Sequence, residues 1–276
     1  MKKLALIMSV AAMIASCTPG THSRVGFEND QQYAFDSIHN DLALTVDKAS
    51  NDIKKNEAYE AYKESVAQFM DSLTVFHNWK GRISNIKSQK AGQNSTDLSF
   101  DIEFTSPKYN TTFGTGKREY KFEVDYIVSN DSLSSDSVYQ QISNMSNYTE
   151  VYFAGIIRSK ADGTPHIAKY VSDYDIFDKE SQVGNPQYHF FVVDISKNPL
   201  VEFSSALAEA VKCSHDVIEP LKQNFRGKIS KKEKDQMLKD IQPKYDNAVK
   251  NLTPSEKSYI LRLNTAYTYD FMYAQD

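Results

Sequence analysis

The segment 27–75 carries apolar residues at every third or fourth position, which is the spacing of one face of an amphipathic helix. The register breaks between Ile53 and Tyr59, so the segment is either one long helix that changes its packing face or two helices that meet near Asn51 and Asp52. The apolar positions are Phe35, Ile38, Leu42, Val46, Ala49 and Ile53, then Tyr59, Tyr62, Val66, Phe69, Leu73 and Phe76. The pattern predicts an N-terminal helical segment over 27–75.

From Trp79 onward the pattern becomes an alternation of apolar and polar residues, which is typical of half-buried antiparallel strands. Gly114-Thr115-Gly116 supplies turn residues between two of these strands. Beside a first strand-like stretch around Ile83 and Ile86, the predicted strands cover 98–104, 120–126, 151–157, 166–176 and 188–195, and a short helix covers 135–145. Three strands, a helix and further strands predict a central β domain over 76–200.

Helical periodicity returns over 201–276, where Pro220 is expected to kink or end the first helix. Ser230 and Glu233 have the spacing of a capping box, and Thr253-Pro254 is a second helix start. Isolated amphipathic helices are marginal in water, so we expect these helices to pack against the N-terminal segment. The predicted fold class is therefore α+β, with a central antiparallel β-barrel flanked by N-terminal and C-terminal helical segments that pack together.

The order of elements in the central domain resembles an OB fold, a small Greek-key barrel. It is similar to small bacterial OB-like modules that are named for tRNA-anticodon-binding domains. The matching residues are the run Trp79 to Ile83 in the first strand, and Val151, Phe153 and Gly155 in a later one. The resemblance covers 77–176. It departs from the family pattern at 147–150, where a Gly-Asp pair is common, and it implies a barrel and not an RNA ligand.

The first 17 residues have the layout of a bacterial secretion signal, with Lys2 and Lys3 before the apolar run 4–14. This run is too short for a membrane-spanning helix, which needs about 20 residues. It ends in Ile14-Ala15-Ser16-Cys17, which resembles the lipobox of bacterial lipoproteins, such as those of Bacteroidota. The resemblance implies removal of 1–16 and a diacylglycerol on Cys17, with a tether over 17–26. The other interpretation is an ordinary secretory signal with a chance cysteine.

The residues that follow Cys17 indicate in which membrane of the cell envelope a lipoprotein would be held. Thr18 stands where the enterobacterial pattern has Asp for inner-membrane retention, and no acidic run of the kind that some surface-exported lipoproteins carry follows Cys17. We therefore expect a lipid-anchored protein of the cell envelope, at the outer membrane and facing the periplasm.

Composition excludes several function classes. The 276 residues include 32 Lys and Arg against 36 Asp and Glu, a net charge of −4, which argues against a nucleic-acid partner. Two cysteines exclude a disulfide scaffold and a Cys-rich metal site. The six histidines lack the helical zinc-site spacing, and the pattern Gly-x-Ser-x-Gly is absent. No cofactor is expected.

Two groups of side chains are candidate sites. Asp173, Asp175 and Asp178 form an acidic cluster whose oxygens suit Ca²⁺ or Mg²⁺, but the EF-hand glycine and late Glu are missing, and a solvated loop is the commoner origin of such a cluster. Ser132 and Ser137 each follow an Asp and precede an aliphatic residue. This resembles the O-glycosylation acceptor motif of Bacteroidota envelope proteins, although helix capping also favours such pairs.

The lipobox, together with the lack of a catalytic constellation, predicts a non-catalytic binding or interaction module. Its expected partners are the membrane, through the lipid on Cys17, and an envelope protein or a glycan. One alternative is a protein that binds a glycan or small ligand on the barrel face. Another is a hydrolase or nuclease with a dispersed site, which would need a cleft holding two or more carboxylates with perturbed pKa values.

Overall fold

The computed structural model describes residue 27 and the ranges 29–106, 109–111, 114–160, 163–165 and 184–274. Its helices are α1 (Asp30–Lys48), α2 (Asp52–Ser72), α3 (Ser137–Ser143), α4 (Ser205–Phe225), α5 (Lys231–Lys250) and α6 (Pro254–Tyr273). Its strands are β1 (Phe76–Ala91), β2 (Ser95–Thr105), β3 (Tyr109–Thr111), β4 (Gly114–Gly116), β5 (Glu119–Ser129), β6 (Glu150–Ile157) and β7 (Gln187–Ser196). A 3₁₀ turn covers Asn130–Ser132.

The N-terminal segment forms two helices, which decides between the two interpretations of its broken periodicity. The side chain of Asn29 accepts the first free N–H groups of α1, from Gln31 and Gln32. Asn51 begins α2 in the same way by accepting the N–H of Lys54. Each helix therefore starts at an asparagine that satisfies otherwise unpaired backbone donors.

Five strands form a closed barrel in the order β1-β2-β5-β7-β6. Neighbouring strands are antiparallel except β5 and β7, which pair in parallel from Lys121 with Gln187 to Val124 with Phe190. With α3 placed between β5 and β6, this is the predicted OB-like arrangement, and the α+β fold class with flanking helices is confirmed. The last barrel strand lies beyond 77–176, so the barrel covers more of the chain than the resemblance did. The predicted strand at 166–176 lies outside the described residues.

A small hairpin interrupts the barrel between β2 and β5. Gly114–Gly116 was expected to be a turn, but it forms strand β4 and pairs with β3. The period-two pattern of the longer strands therefore located the barrel correctly and missed this short insertion.

Aromatic side chains fill the barrel, and helices cover both of its ends. Trp79, Phe122 and Phe153 are fully buried in the interior. At the end where β5 and β7 begin, α1 inserts Phe35, whose ring lies 5.4 Å from that of Trp79. At the other end of the barrel, where β5 finishes, α3 covers the opening. Its buried residues Val138 and Ile142 belong to the same hydrophobic core as the barrel interior. The barrel interior is thus a packed core.

A second core lies outside the barrel, where α6 covers β6 and β7, α4 packs against α6, and α5 packs against α4. Ala154, Ile156 and Val193 face outward from these strands and pack against helix residues such as Leu263. Pro220 was expected to kink or end α4; the helix does not end there but continues to Phe225, with Pro220 buried inside it.

The capping boxes predicted for the C-terminal helices are present. The side chain of Ser230 accepts the N–H of Glu233, which in turn accepts the N–H of Ser230 at 2.8 Å. Thr253 and Glu256 make the same pair at the start of α6. The two helical groups meet where the hydroxyl of Tyr267 on α6 donates to the carbonyl of residue 74, just after α2.

Candidate functional site

A buried ion pair lies where α1 closes the barrel. Asp36 of α1 accepts hydrogen bonds from Arg118 at 3.1 Å, from the hydroxyl of Tyr120 at 2.6 Å and from that of Ser106 at 3.0 Å. The side chains of Asp36 and Arg118 are both fully buried. A second guanidinium nitrogen of Arg118 donates to the carbonyl of His39 at 3.2 Å. The carboxylate therefore has a cation and two hydroxyl donors in place of water.

The imidazole of His39 extends this network into the barrel. Its Nδ1 lies 2.8 Å from the carbonyl oxygen of Phe35, which can only accept, so Nδ1 carries the proton and Nε2 accepts. Nε2 lies 2.6 Å from the hydroxyl of Tyr188 and 2.9 Å from that of Tyr62, and the two hydroxyls also bond to each other. Burial, followed by the charge of Arg118, lowers the pKa of His39 well below its ordinary value. The imidazole is thus neutral and structural.

Sequence reasoning missed this network, although α1 carries a signal for it. Asp36, His39 and Asn40 lie on the same face as the apolar Phe35 and Leu42, and all five are buried. Polar residues at three- and four-residue spacing inside an apolar stripe indicate buried partners. Asp36 and His39 are enclosed and hydrogen-bonded to barrel residues, so the network holds α1 in the barrel, whereas the buried Oδ1 of Asn40 has no hydrogen-bond partner in the described part of the chain.

A charged cleft of about 40 Å³ lies between the end of α2, the end of β6 and the helices α4 and α6. This volume holds about three water molecules. Four charged or titratable side chains from α4 and the residue after it line the cleft, together with two aspartates. They are His215, Glu219 and Lys222 on α4, Arg226 just after it, Asp71 at the end of α2 and Asp270 on α6.

Asp270 acts as a clamp in this cleft. Its buried carboxylate accepts from Lys222 at 2.6 Å and from both the backbone N–H (2.6 Å) and the hydroxyl of Ser159. It thereby ties the segment after β6 to α4 and α6. Partial desolvation, followed by the nearby charge of Glu219, raises the pKa of Asp71. Asp270 is thus committed to a lysine and a serine, while Asp71 and Glu219 are two further carboxylates of the cleft lining.

The outer faces of β2 and β5 carry a row of carboxylates. Lys121 lies 3.1 Å from Asp101 and 3.2 Å from Glu123, bridging the two strands. Burial and the neighbouring Asp97 raise the pKa of the exposed Asp125. This face of the barrel is therefore acidic.

Beside this acidic face, α6 and β7 form an aromatic surface that we call the aromatic shelf, consisting of Phe191, Tyr269 and Tyr273. The ring of Phe191 lies 6.4 Å from that of Tyr269 and 6.3 Å from that of Tyr273, with an angle of only 14° to the latter. Tyr269 is 36% exposed and Tyr273 is 41% exposed. The guanidinium carbon of Arg158 lies 4.5 Å from the ring centre of Tyr273.

The apolar stripe of α6 was visible in the sequence, but the shelf was not. Tyr269 and Tyr273 are four residues apart, on a different face from the buried Leu263 and Tyr267. The signal was therefore a second aromatic face on one helix, and only the fold brings Phe191 of β7 beside it.

The residues singled out from the sequence do not come together in one site. Cys17 and the cluster Asp173, Asp175 and Asp178 lie outside the described residues. Ser132 ends the 3₁₀ turn after β5, Ser137 begins α3, and both are exposed. Within the described ranges, no group of three His, Cys, Asp or Glu side chains is arranged to hold a metal ion.

None of the helices in the described part of the chain has both the length and the hydrophobicity of a membrane span. Comparisons with protein families, with curated proteins and with solved structures returned no match to this chain.

Proposed function

We propose that the protein is a lipoprotein of the cell envelope, held at the outer membrane by acyl chains on Cys17, whose periplasm-facing body is a non-catalytic binding module. The observation that carries the proposal is the position of Cys17. It directly follows the apolar run 4–14 and two small residues, and the first helix in the described part of the chain begins at Asp30. The intervening stretch would separate an anchor from the folded body.

The packing of the barrel supports a binding role for its outer surface. The interior is filled by aromatic side chains, and α1 and α3 cover its two ends. A ligand therefore has no room inside, in contrast to larger barrels that enclose a cavity. The C-terminal helices cover the outside of β6 and β7, while the carboxylates of β2 and β5 remain on the surface. Recognition on the remaining outer face fits a module that is presented from a membrane.

Metabolic labelling with an alkyne-bearing palmitate tests the anchor. The natural chain should take up the label and fractionate with the outer membrane, whereas Cys17→Ala should lose the label and be released by washing, because the cysteine thiol is the acylated group. Cys213→Ala is the matched control, since Cys213 is a buried thiol on α4. It should retain both label and membrane association.

Two results would contradict the proposal. One is an unlabelled natural chain. The other is a Cys17→Ala variant that stays with the membrane as firmly as the natural chain does, which would mean that another part of the molecule holds it there.

A further inference from the structure

We propose that the aromatic shelf of Phe191, Tyr269 and Tyr273 is a binding site for neutral sugar rings, with the carboxylates of Glu123 and Asp125 beside it accepting sugar hydroxyls. This inference rests on the proposed binding function and names its ligand class. A sugar ring presents C–H groups on its faces and hydroxyls around its edge. Half-exposed aromatic rings can pack against the C–H faces, and carboxylate oxygens can accept hydrogen bonds from the hydroxyls.

The shelf brings ring faces and polar groups together from three elements. Phe191 comes from β7, the two tyrosines come from α6, and the three ring centres lie between 6.2 and 6.4 Å from each other. His189 precedes Phe191 by two positions on β7, and its Nδ1 lies 3.9 Å from a carboxylate oxygen of Glu123 on β5. A flat apolar surface bordered by a few polar groups is the usual composition of a small-ligand site.

The charges around the shelf select among ligand classes. Arg158 already stacks on Tyr273 and disfavours an organic cation there, although aromatic rings alone would attract one. Val124 of β5 pairs with Phe190 of β7, so Asp125 and Phe191 are the next residues on these two neighbouring strands. Asp125 and Glu123 in turn disfavour polyanions such as nucleic acid or acidic lipid. A neutral, hydroxyl-rich ligand meets neither repulsion.

The closed barrel makes an extended peptide a poorer occupant. Peptides commonly bind to sheets by adding a strand at a free edge. Each of the five barrel strands has two neighbours in the closed barrel, so none is an edge strand along its whole length. The shelf itself offers aromatic side chains, as a stacking platform does.

Titration calorimetry of the mature protein in detergent tests the site, with chitotetraose, cellotetraose, mannotetraose and xylotetraose as probes. We expect at least one probe to bind, and Tyr269→Ala and Tyr273→Ala each to weaken that binding by about tenfold or more, as loss of one stacking ring does elsewhere. Tyr273→Phe should retain binding because its ring remains. Tyr148→Ala is the matched control, since Tyr148 is a 72% exposed tyrosine in the loop before β6. It should bind like the natural chain.

Thermal melting of each variant shows whether it is folded. If an alanine variant does not fold, Asp125→Asn on the exposed strand surface takes its place, and it should weaken binding through loss of a charged acceptor. The proposal is overturned if no tetrasaccharide binds at millimolar concentration, if the shelf variants bind as the natural chain does, or if heparin, oligothymidylate or spermine binds more tightly. Because the Cys17→Ala chain carries the same shelf, sugar binding and lipid anchoring can fail independently.

Discussion

The Arg118–Asp36 pair allows a direct test of how α1 is held in the barrel. Arg118→Met removes the cation and leaves the Asp36 carboxylate fully buried with the two hydroxyls of Tyr120 and Ser106 as its remaining donors. Breaking a buried ion pair from one side typically costs about 3–5 kcal/mol, because the remaining charge has lost both water and its partner. We expect the free energy of unfolding to fall by that amount, which corresponds to a melting temperature lower by about 6–20 °C.

A second substitution separates the free energy lost with the ion pair from the cost of leaving one unpaired charge buried. Asp36→Asn combined with Arg118→Met removes both charges but keeps one acceptor oxygen for the neighbouring hydroxyls. The double variant should therefore be more stable than Arg118→Met alone, since no uncompensated charge stays in the core. A double variant that is less stable than both single variants would indicate that the charges contribute independently.

Urea denaturation followed by tryptophan fluorescence is a suitable assay, because the single tryptophan, Trp79, is fully buried and packs against Phe35 of α1. Lys54→Met is the control, since it breaks an ion pair with Glu57 in which both side chains are about 60% exposed. Such surface pairs contribute about 0.5 kcal/mol or less. The reasoning is refuted if Arg118→Met costs less than about 1 kcal/mol, the upper limit for an exposed pair.

Three further predictions follow from the core, the barrel closure and the surface serines. Because the pKa of His39 is depressed from 6.5, the unfolded chain gains its proton first as pH falls. Stability should then decline below pH 6.5 by up to about 1.4 kcal/mol per pH unit, a component that denaturation of His39→Gln should lack. Gly155→Ala would force its Cβ against a carbonyl oxygen of β7, so the free energy of unfolding in urea should fall by about 2–3 kcal/mol. Gly92→Ala is the comparison: its Cβ meets no atom, and only the backbone angle of φ +74° should cost about 1 kcal/mol. If the exposed Ser132 is glycosylated, the intact mass of the native protein will exceed that of the lipidated chain, and Ser132→Ala will remove the excess. Apart from the mass of one oxygen atom, equal masses for Ser132→Ala, Ser137→Ala and the natural chain would exclude modification at either serine.

The spacing of apolar residues and the helix-capping residues were sufficient to locate most helices and strands from the sequence. The alternation around Phe100 and Phe122 identified two barrel strands, because a sheet that buries one face imposes a two-residue period. The asparagine at position 51 lay where the helical register broke, and it does begin a helix. Pro220 did not end α4, because a proline removes one backbone N–H and the rest of a long helix can continue past it.

The sites were less visible than the fold. Arg118 follows Gly114-Thr115-Gly116 closely in the sequence, and only the closing of the barrel places it against Asp36, 82 positions earlier. The aromatic shelf likewise combines residues from β7 and α6 whose proximity depends on how α6 crosses the sheet. Pairings across such distances leave no periodic trace in a single sequence, whereas strand and helix faces do.

The docking of α1 also has a consequence for the timing of synthesis. His39 bonds to Tyr188, which follows it by 149 positions, so a ribosome completes α1 long before its receptor strand exists. Until β7 has emerged, the apolar side of α1 has no cavity to enter. The barrel around α1 therefore cannot close until more than two thirds of the chain has been synthesised.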